Sequence, residues 1–178
     1  MLRIDFPEEE LFDESSEKFI HKEKYHVELE HSLRSVSKWE EHYEKPFLDS
    51  NLTGDELDFY IKCMDLNDGV TDDVLRRFTA KEYTMINNYI AAKHTATTVN
   101  TRDKGTGKKE IITSEVIYYW MIAMDIPFEC DTWNLNRLIM LIKVCGVKNN
   151  PKKMSKKDTM LSNMNLNKMR KASWGTRG

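Results

Sequence analysis

Between Ile111 and Cys145 the chain reads IITSEVIYYWMIAMDIPFECDTWNLNRLIMLIKVC, its densest apolar stretch, with no charged residue from Val116 to Met124. Few folds accommodate such a run outside a core, and its spacing predicts two helices joined by a hinge at Ile126-Pro127-Phe128. Ser114 is placed to cap the first, and Glu115 sits favourably at the positive end of the helix dipole. Ile117, Trp120, Met121 and Met124 then share a face, which Val116 and Tyr119 widen until the helix reads as buried all round. Asp131 or Thr132 is expected to cap the second helix and Gly146 to end it. Its stripe is Leu135, Leu138, Ile139, Ile142 and Cys145. This helical hairpin predicts the core of the fold.

The rest of the chain fits around it as a mostly α-helical domain with a short N-terminal β element and a basic C-terminal tail. Residues 1–24 read as an acidic arm with a strand at Met1–Pro7, where Ile4 and Phe6 alternate with charges. Glu8–Glu23 is weakly patterned and reads as an exposed connection. Residues 25–146 carry the core domain. Tyr25, Val27, Leu29, His31 and Leu33 alternate with polar residues, the period of a half-buried strand. Leu33, Val36, Trp39 and Tyr43 then mark a helix face, ended by Pro46. Leu57, Tyr60, Ile61 and Met64 mark the next helix, opened by Thr53 or Asp55. Asn67-Asp68-Gly69 is a turn. Thr71 opens a short helix with Val74, Leu75 and Phe78, and Thr79 another with Tyr83, Ile86 and Ile90. Residues 94–110 are the least core-like internal segment, extended at Thr95–Val99 and loop-like at the glycines.

Charge is unevenly spread. Residues 1–17 hold seven acidic side chains against Arg3, and residues 146–178 hold nine lysines and arginines against Asp158. Such opposed ends suit interaction arms, including arms that meet each other within or between protomers. The net charge of -2 excludes nucleic-acid binding through overall charge, leaving only the tail for it. That tail, residues 147–178, carries Lys152, Lys153, Lys156, Lys157, Lys168, Arg170 and Lys171, but only Trp174 to stack on a base. It also carries Met160, Met164 and Met169 in an expected helix from Ser155 to about Ala172. Their flexible thioethers suit partner helices better than nucleic acid.

Motifs of catalysis or metal binding are weak. His26, Glu28 and Glu30 share a strand spacing that could hold zinc, but the same spacing describes a solvent face. Residues 104–109, KGTGKK, lack the four-residue gap and the Ser or Thr of a phosphate loop. Asp65, Asn67 and Asp72 put Gly69 and Arg76 where a calcium loop needs other residues. No serine or cysteine stands in a nucleophile motif, so no catalytic residue, cofactor or metal is expected. Cys63, Cys130 and Cys145 form no CxxC and predict buried, reduced thiols. There is no basic start followed by an apolar run, and the longest uncharged block falls short of the ~20 residues that span a bilayer. A soluble, intracellular protein is expected.

Several segments resemble one family. They are His26-Val27-Glu28-Leu29-Glu30-His31-Ser32-Leu33, then Ser35-Val36-Ser37-Lys38-Trp39-Glu40 and Lys45-Pro46-Phe47-Leu48. Thr97-Thr98-Val99-Asn100, the run from Glu110 to Met121, Ile126-Pro127-Phe128-Glu129-Cys130, Trp133, Leu135-Asn136-Arg137-Leu138 and Lys153-Met154-Ser155-Lys156-Lys157 continue the likeness. Over most of residues 26–160 the chain resembles the tail assembly chaperones of long-tailed bacteriophages. The resemblance implies a helical, non-enzymatic factor of the infected host's cytoplasm. It implies binding to the tape measure protein, recruitment of tail tube subunits and absence from the finished virion. Many such proteins are made in two lengths by frameshifting. On this reading Trp120, Trp133 and Arg137 near the hinge, and Met160, Met164 and Met169 in the tail, are the expected client contacts. Two other roles follow from the same features. One is a structural head–tail joining or tail protein; the other is a nucleic-acid-binding phage protein whose binding through the tail falls with salt.

Overall fold

Alternation at both ends of the first segment closes a small sheet. β1 (Leu2–Phe6) pairs antiparallel with β4 (Tyr25–Leu29), with Ile4 opposite Val27 and Phe6 opposite Tyr25. Ile4, Phe6, Val27 and Leu29 are buried, and Arg3, Asp5 and His26 face outward. The computed structural model describes residues 1–13, 17–99, 111–149 and 156–174. Within it the chain forms two compact units, Met1–Val144 and Cys145–Gly178.

The exposed connection expected over Glu8–Glu23 is instead a second antiparallel pair, β2 (Glu9–Asp13) with β3 (Lys18–Lys22). Its pattern escapes a single-strand reading because Leu11 and Phe12 are adjacent, as are Phe19 and Ile20. The signal lies across the strands: Glu9 faces Lys22, Asp13 faces Lys18, and Phe12 faces Phe19 with ring centroids 5.1 Å apart.

The helices open where the caps predict. α1 (Leu33–Tyr43) begins at Ser32, α2 (Gly54–Met64) at Thr53, α3 (Asp72–Leu75) at Thr71 and α4 (Ala80–Ala91) at Thr79. Ser32, Thr53 and Thr79 form reciprocal capping boxes. Leu33, Val36, Trp39, Tyr60, Ile61, Met64 and Ile86 are fully buried, and Trp39 Nε1 donates to Glu56 O at 3.0 Å. α1 stops before Pro46, because Glu44 takes a left-handed conformation (φ 53) that satisfies Glu40 O. Phe78 is buried just beyond the short α3.

Past β4, the chain from Glu28 to Ser32 continues as a seam. Glu30 N–H donates to Met64 O (2.9 Å) and Leu66 N–H to Glu28 O (3.0 Å) on one side. Leu135 N–H donates to His31 O (2.7 Å) on the other. This is why the strand-like alternation persists to Leu33 after the sheet has ended. The turn after α2 is organised by Asp65, whose buried carboxylate accepts the N–H groups of Asn67, Gly69 and Val70. Gly69 presses on Tyr25: an added Cβ would meet its hydroxyl at 2.2 Å. Gly69→Ala is therefore expected to push the half-buried Tyr25 side chain aside, at a cost of about 1 kcal/mol. Tyr25→Phe should recover much of that loss in the double variant, as urea titration of all four proteins would show.

The last two helices of the larger unit differ most from expectation. α5 (Ser114–Ala123) has Thr113 at its cap position with no side-chain capping bond, and Ser114 is its first residue. The orphan Ser114 N–H goes instead to Glu40 Oε2 of α1 at 2.7 Å, while Glu40 Oε1 takes Phe47 N–H at 2.8 Å. The hinge is longer than three residues: Asp125 is left-handed (φ 54) and Phe128–Thr132 form a 3-10 turn. α6 (Leu135–Asn149) starts later than Asp131 or Thr132, and Asn134 Oδ1 accepts Asn136 N–H at 3.1 Å. Asp131 is engaged elsewhere, with Arg34 and Tyr118. Nor does Gly146 end the helix; it stays helical inside α6, at a propensity cost of about 1 kcal/mol. α5 and the turn after it lie chiefly against α1, rather than forming a closed hairpin with α6. α7 (Lys156–Trp174) is the helix expected in the tail. Residues 95–99 join no strand ladder.

Candidate protein-binding surface

α5 departs most clearly from its sequence. Ile117 and Met121 are fully buried against the core, while Trp120 and Met124 are half-buried. The opposite side is not covered: Tyr119 is 66% exposed, Ile122 60% and Ile111, just before the helix, 60%. Phe128, 55% exposed, extends this face, its ring 6.1 Å from that of Tyr118. Burial all round is thus corrected to burial on one side, since α1 supplies a layer on that side only. Apolarity on every side of a helix does not reveal whether the second layer comes from the same chain.

Tyr118 ties the exposed face to the frame. Its hydroxyl donates to Asp131 Oδ2 at 3.2 Å, and Asp131 is held by Arg34 of α1 at 3.0 Å. Partial burial, then the Asp131 charge, push the Tyr118 phenol up to about 12. The phenol therefore stays protonated as a donor across the physiological range.

The expected client residues separate into three places. Trp133 and Arg137 come together, with the guanidinium carbon 4.6 Å from the ring centroid. With Thr95, Thr97, Met140 and Leu141 they line a cleft of about 250 Å³. Trp120 is not among those residues and shares a half-buried flank of α5 with Val116 and Met124. In α7, Met160, Leu161 and Met164 lie on one side at spacings of three and four, and all are exposed. Met169, five residues after Met164, turns to the far side and is also exposed. Lys168 and Arg170 are exposed; Lys156, Lys157 and Lys171 lie within α7, whereas Lys152 and Lys153 fall outside the described residues. So does the KGTGKK segment.

A larger cleft lies elsewhere, about 570 Å³ between α2, α3 and α4, and several of its polar groups are engaged with one another. Tyr83 donates to Asp58 at 2.6 Å, and Lys62 pairs with Asp72 at 2.6 Å. Burial, then Asp58, raise Tyr83 to about 12. Cys63 is also pushed up, to about 11, by burial, which leaves it a thiol at neutral pH. The three residues weighed as zinc ligands diverge. His26 is exposed and Glu28 lies 4.0 Å from Arg3. Glu30 turns inward to Tyr89 (2.6 Å), Asn134 (3.2 Å) and the Met1 amino group (2.5 Å). Burial alone would raise the Glu30 carboxyl, but these partners together hold it below its usual value. Among the described residues no cluster of three or more His, Cys, Asp or Glu is placed to hold a metal ion, and no helix is long and apolar enough to cross a membrane.

Sequence reasoning misses Tyr119 and Ile122 as surface residues because an uncharged apolar helix reads as core, and it places Phe128 only in the hinge. No protein-family model matches the chain, and neither a curated protein nor a solved structure gives a significant match to it.

Proposed function

We propose that the protein is a non-enzymatic binding module that acts as a tail assembly chaperone, holding a phage tape measure protein in the host cytoplasm until the tail tube forms around it. The observation that carries the binding role is the uncovered side of α5, where Ile111, Tyr119, Ile122 and Phe128 are all more than half exposed. Contiguous exposed apolar side chains of this kind mark interaction surfaces. The exposed methionines of α7 add a second, adaptable apolar surface. The choice of client rests on the resemblance of residues 26–160, from His26 through Trp39 to Ile126-Pro127-Phe128.

Co-expression with fragments of a tape measure protein tests this reading. The fragments are expected to remain soluble and co-purify with the full chain, and the soluble yield should fall when residues 147–178 are removed. A client that stays soluble and bound without that segment would reject the tail's part in the role. The same uncovered face also suits a permanent neighbour in an assembled particle. Stoichiometric amounts of the protein in purified virions would favour that structural role over the chaperone.

A further inference from the structure

The exposed side of α5 has a one-sided electrostatic frame. From Ile111 to Asn136 the chain holds Glu115, Asp125, Glu129 and Asp131 and not one lysine, arginine or histidine. Asp131 is buried and neutralised by Arg34. The other three are exposed, at the start of α5, at its end and in the following turn. The remaining cation of this part of α1, Lys38, lines a different cleft with Cys63 and Asp68. Among the described residues from 111 to 136, the exposed charges beside the apolar strip of Ile111, Tyr119, Ile122 and Phe128 are therefore all negative.

We propose that this strip is the docking site of an amphipathic helix whose apolar stripe is flanked by lysines or arginines. This deepens the chaperone reading and rests on its premise that the partner is helical. Positions 115, 119 and 122 recur at helical spacing, so the strip runs along α5 for roughly 10 Å, about two turns of a helix laid beside it, with Ile111 just before its start. A partner of either charge would bury the apolar strip, but only a basic one avoids bringing carboxylates against Glu115, Asp125 and Glu129. Tyr119 supplies the large, stiff contact area that recurs at the centre of interfaces.

Synthetic helical peptides test the assignment on the full-length protein. One carries a leucine stripe flanked by lysines, one the same stripe flanked by glutamates, and one the lysine composition scrambled so that no stripe remains. Fluorescence anisotropy is expected to show the lysine-flanked peptide binding about tenfold more tightly than the glutamate-flanked one, the effect of a few exposed ion pairs. In the Glu115→Gln, Asp125→Asn, Glu129→Gln variant the two affinities should converge; asparagine is used at 125 because it tolerates the positive φ there. Tyr119→Ser with Ile122→Ser should abolish binding of both without changing the melting temperature, since both side chains are exposed.

Equal binding of the lysine- and glutamate-flanked peptides would overturn the proposal. So would equal binding of the scrambled peptide, which would reduce the effect to charge. A wild-type dimer that the Tyr119→Ser, Ile122→Ser variant converts to monomer would assign the face to a second copy of the chain instead. Undiminished capture of tape measure fragments by that variant would place the client elsewhere and sink this assignment, leaving the chaperone reading intact. Peptide binding as described with no capture of tape measure fragments by the wild type would do the reverse.

Discussion

Glu40→Ala is expected to destabilise the larger unit by about 3 kcal/mol, because two buried backbone N–H groups lose a charged acceptor at once. Glu40 lies on α1, yet its two carboxylate oxygens terminate other segments, Phe47 after the first helix and Ser114 at the start of α5. The side chain is buried, so water does not replace it without rearrangement. Glu40→Gln retains one acceptor and should lose about half as much. Urea midpoints would read both values, and a loss below about 1 kcal/mol for Glu40→Ala would mean the two N–H groups find other partners. Hydrogen exchange should also accelerate over residues 111–124, as this carboxylate is the start of α5's attachment to α1. Since the proposed docking face lies on the other side of α5, Glu40→Ala is expected to weaken client capture without touching the client.

The second large effect is on acid stability. His31 is buried beside Tyr60, with Nδ1 and the phenol oxygen 2.5 Å apart. Burial lowers the imidazole to about 4, Glu30 pulling it slightly up and His94 down; burial likewise raises the Tyr60 phenol. An unfolded histidine takes its proton near pH 6.5. Between that value and about 4 the unfolded chain therefore holds one more proton at this site than the folded one. His31's contribution is fully present above pH 6.5 and declines as pH falls towards 4, by about 1.4 kcal/mol per unit. The carboxylates held low in the fold, Glu30, Glu56 and Glu115 among them, act in a lower window. Their contribution is present above the unfolded carboxylate value and is lost as pH drops through their folded values. Chemical denaturation at a series of pH values should thus show a decline that begins near pH 6.5. In His31→Gln that upper decline should vanish while the lower one remains. A profile unchanged by the substitution would remove His31 from the account.

What could be read from the sequence was whatever is local along the chain. Ser32, Thr53, Thr71 and Thr79 announce helices because a cap acts within three residues. The stripes of Val36–Trp39 and Leu135–Leu138–Ile142 report burial because helix period and one buried face suffice. What escaped was non-local. Nothing along α1 marks Glu40 as more than a surface charge, because the N–H it accepts, that of Ser114, lies seventy-four residues on. The β2–β3 pair shows only in which residues stand opposite each other across the strands, Phe12 and Phe19 among them, and no single strand reveals it. Asn134 displaced two plausible caps because the chain before α6 is fixed to His31, far upstream. For the candidate surface the difficulty was different in kind. The composition of α5 says that both its sides avoid water, but not who supplies the second cover.

The seam at residues 28–32 also bears on how the protein is made. One flank is closed by Met64 and Leu66, the other by Leu135. A ribosome must therefore release the chain as far as Leu135 before the centre of the domain has both its neighbours. Until then α5, already synthesised, has only α1 to lie against, and its outer apolar side chains are open to other nascent chains. Closing contacts so distant in sequence slows folding. Translation speed through residues 124–135 thus becomes a determinant of yield, and a pause there is expected to favour aggregation over folding.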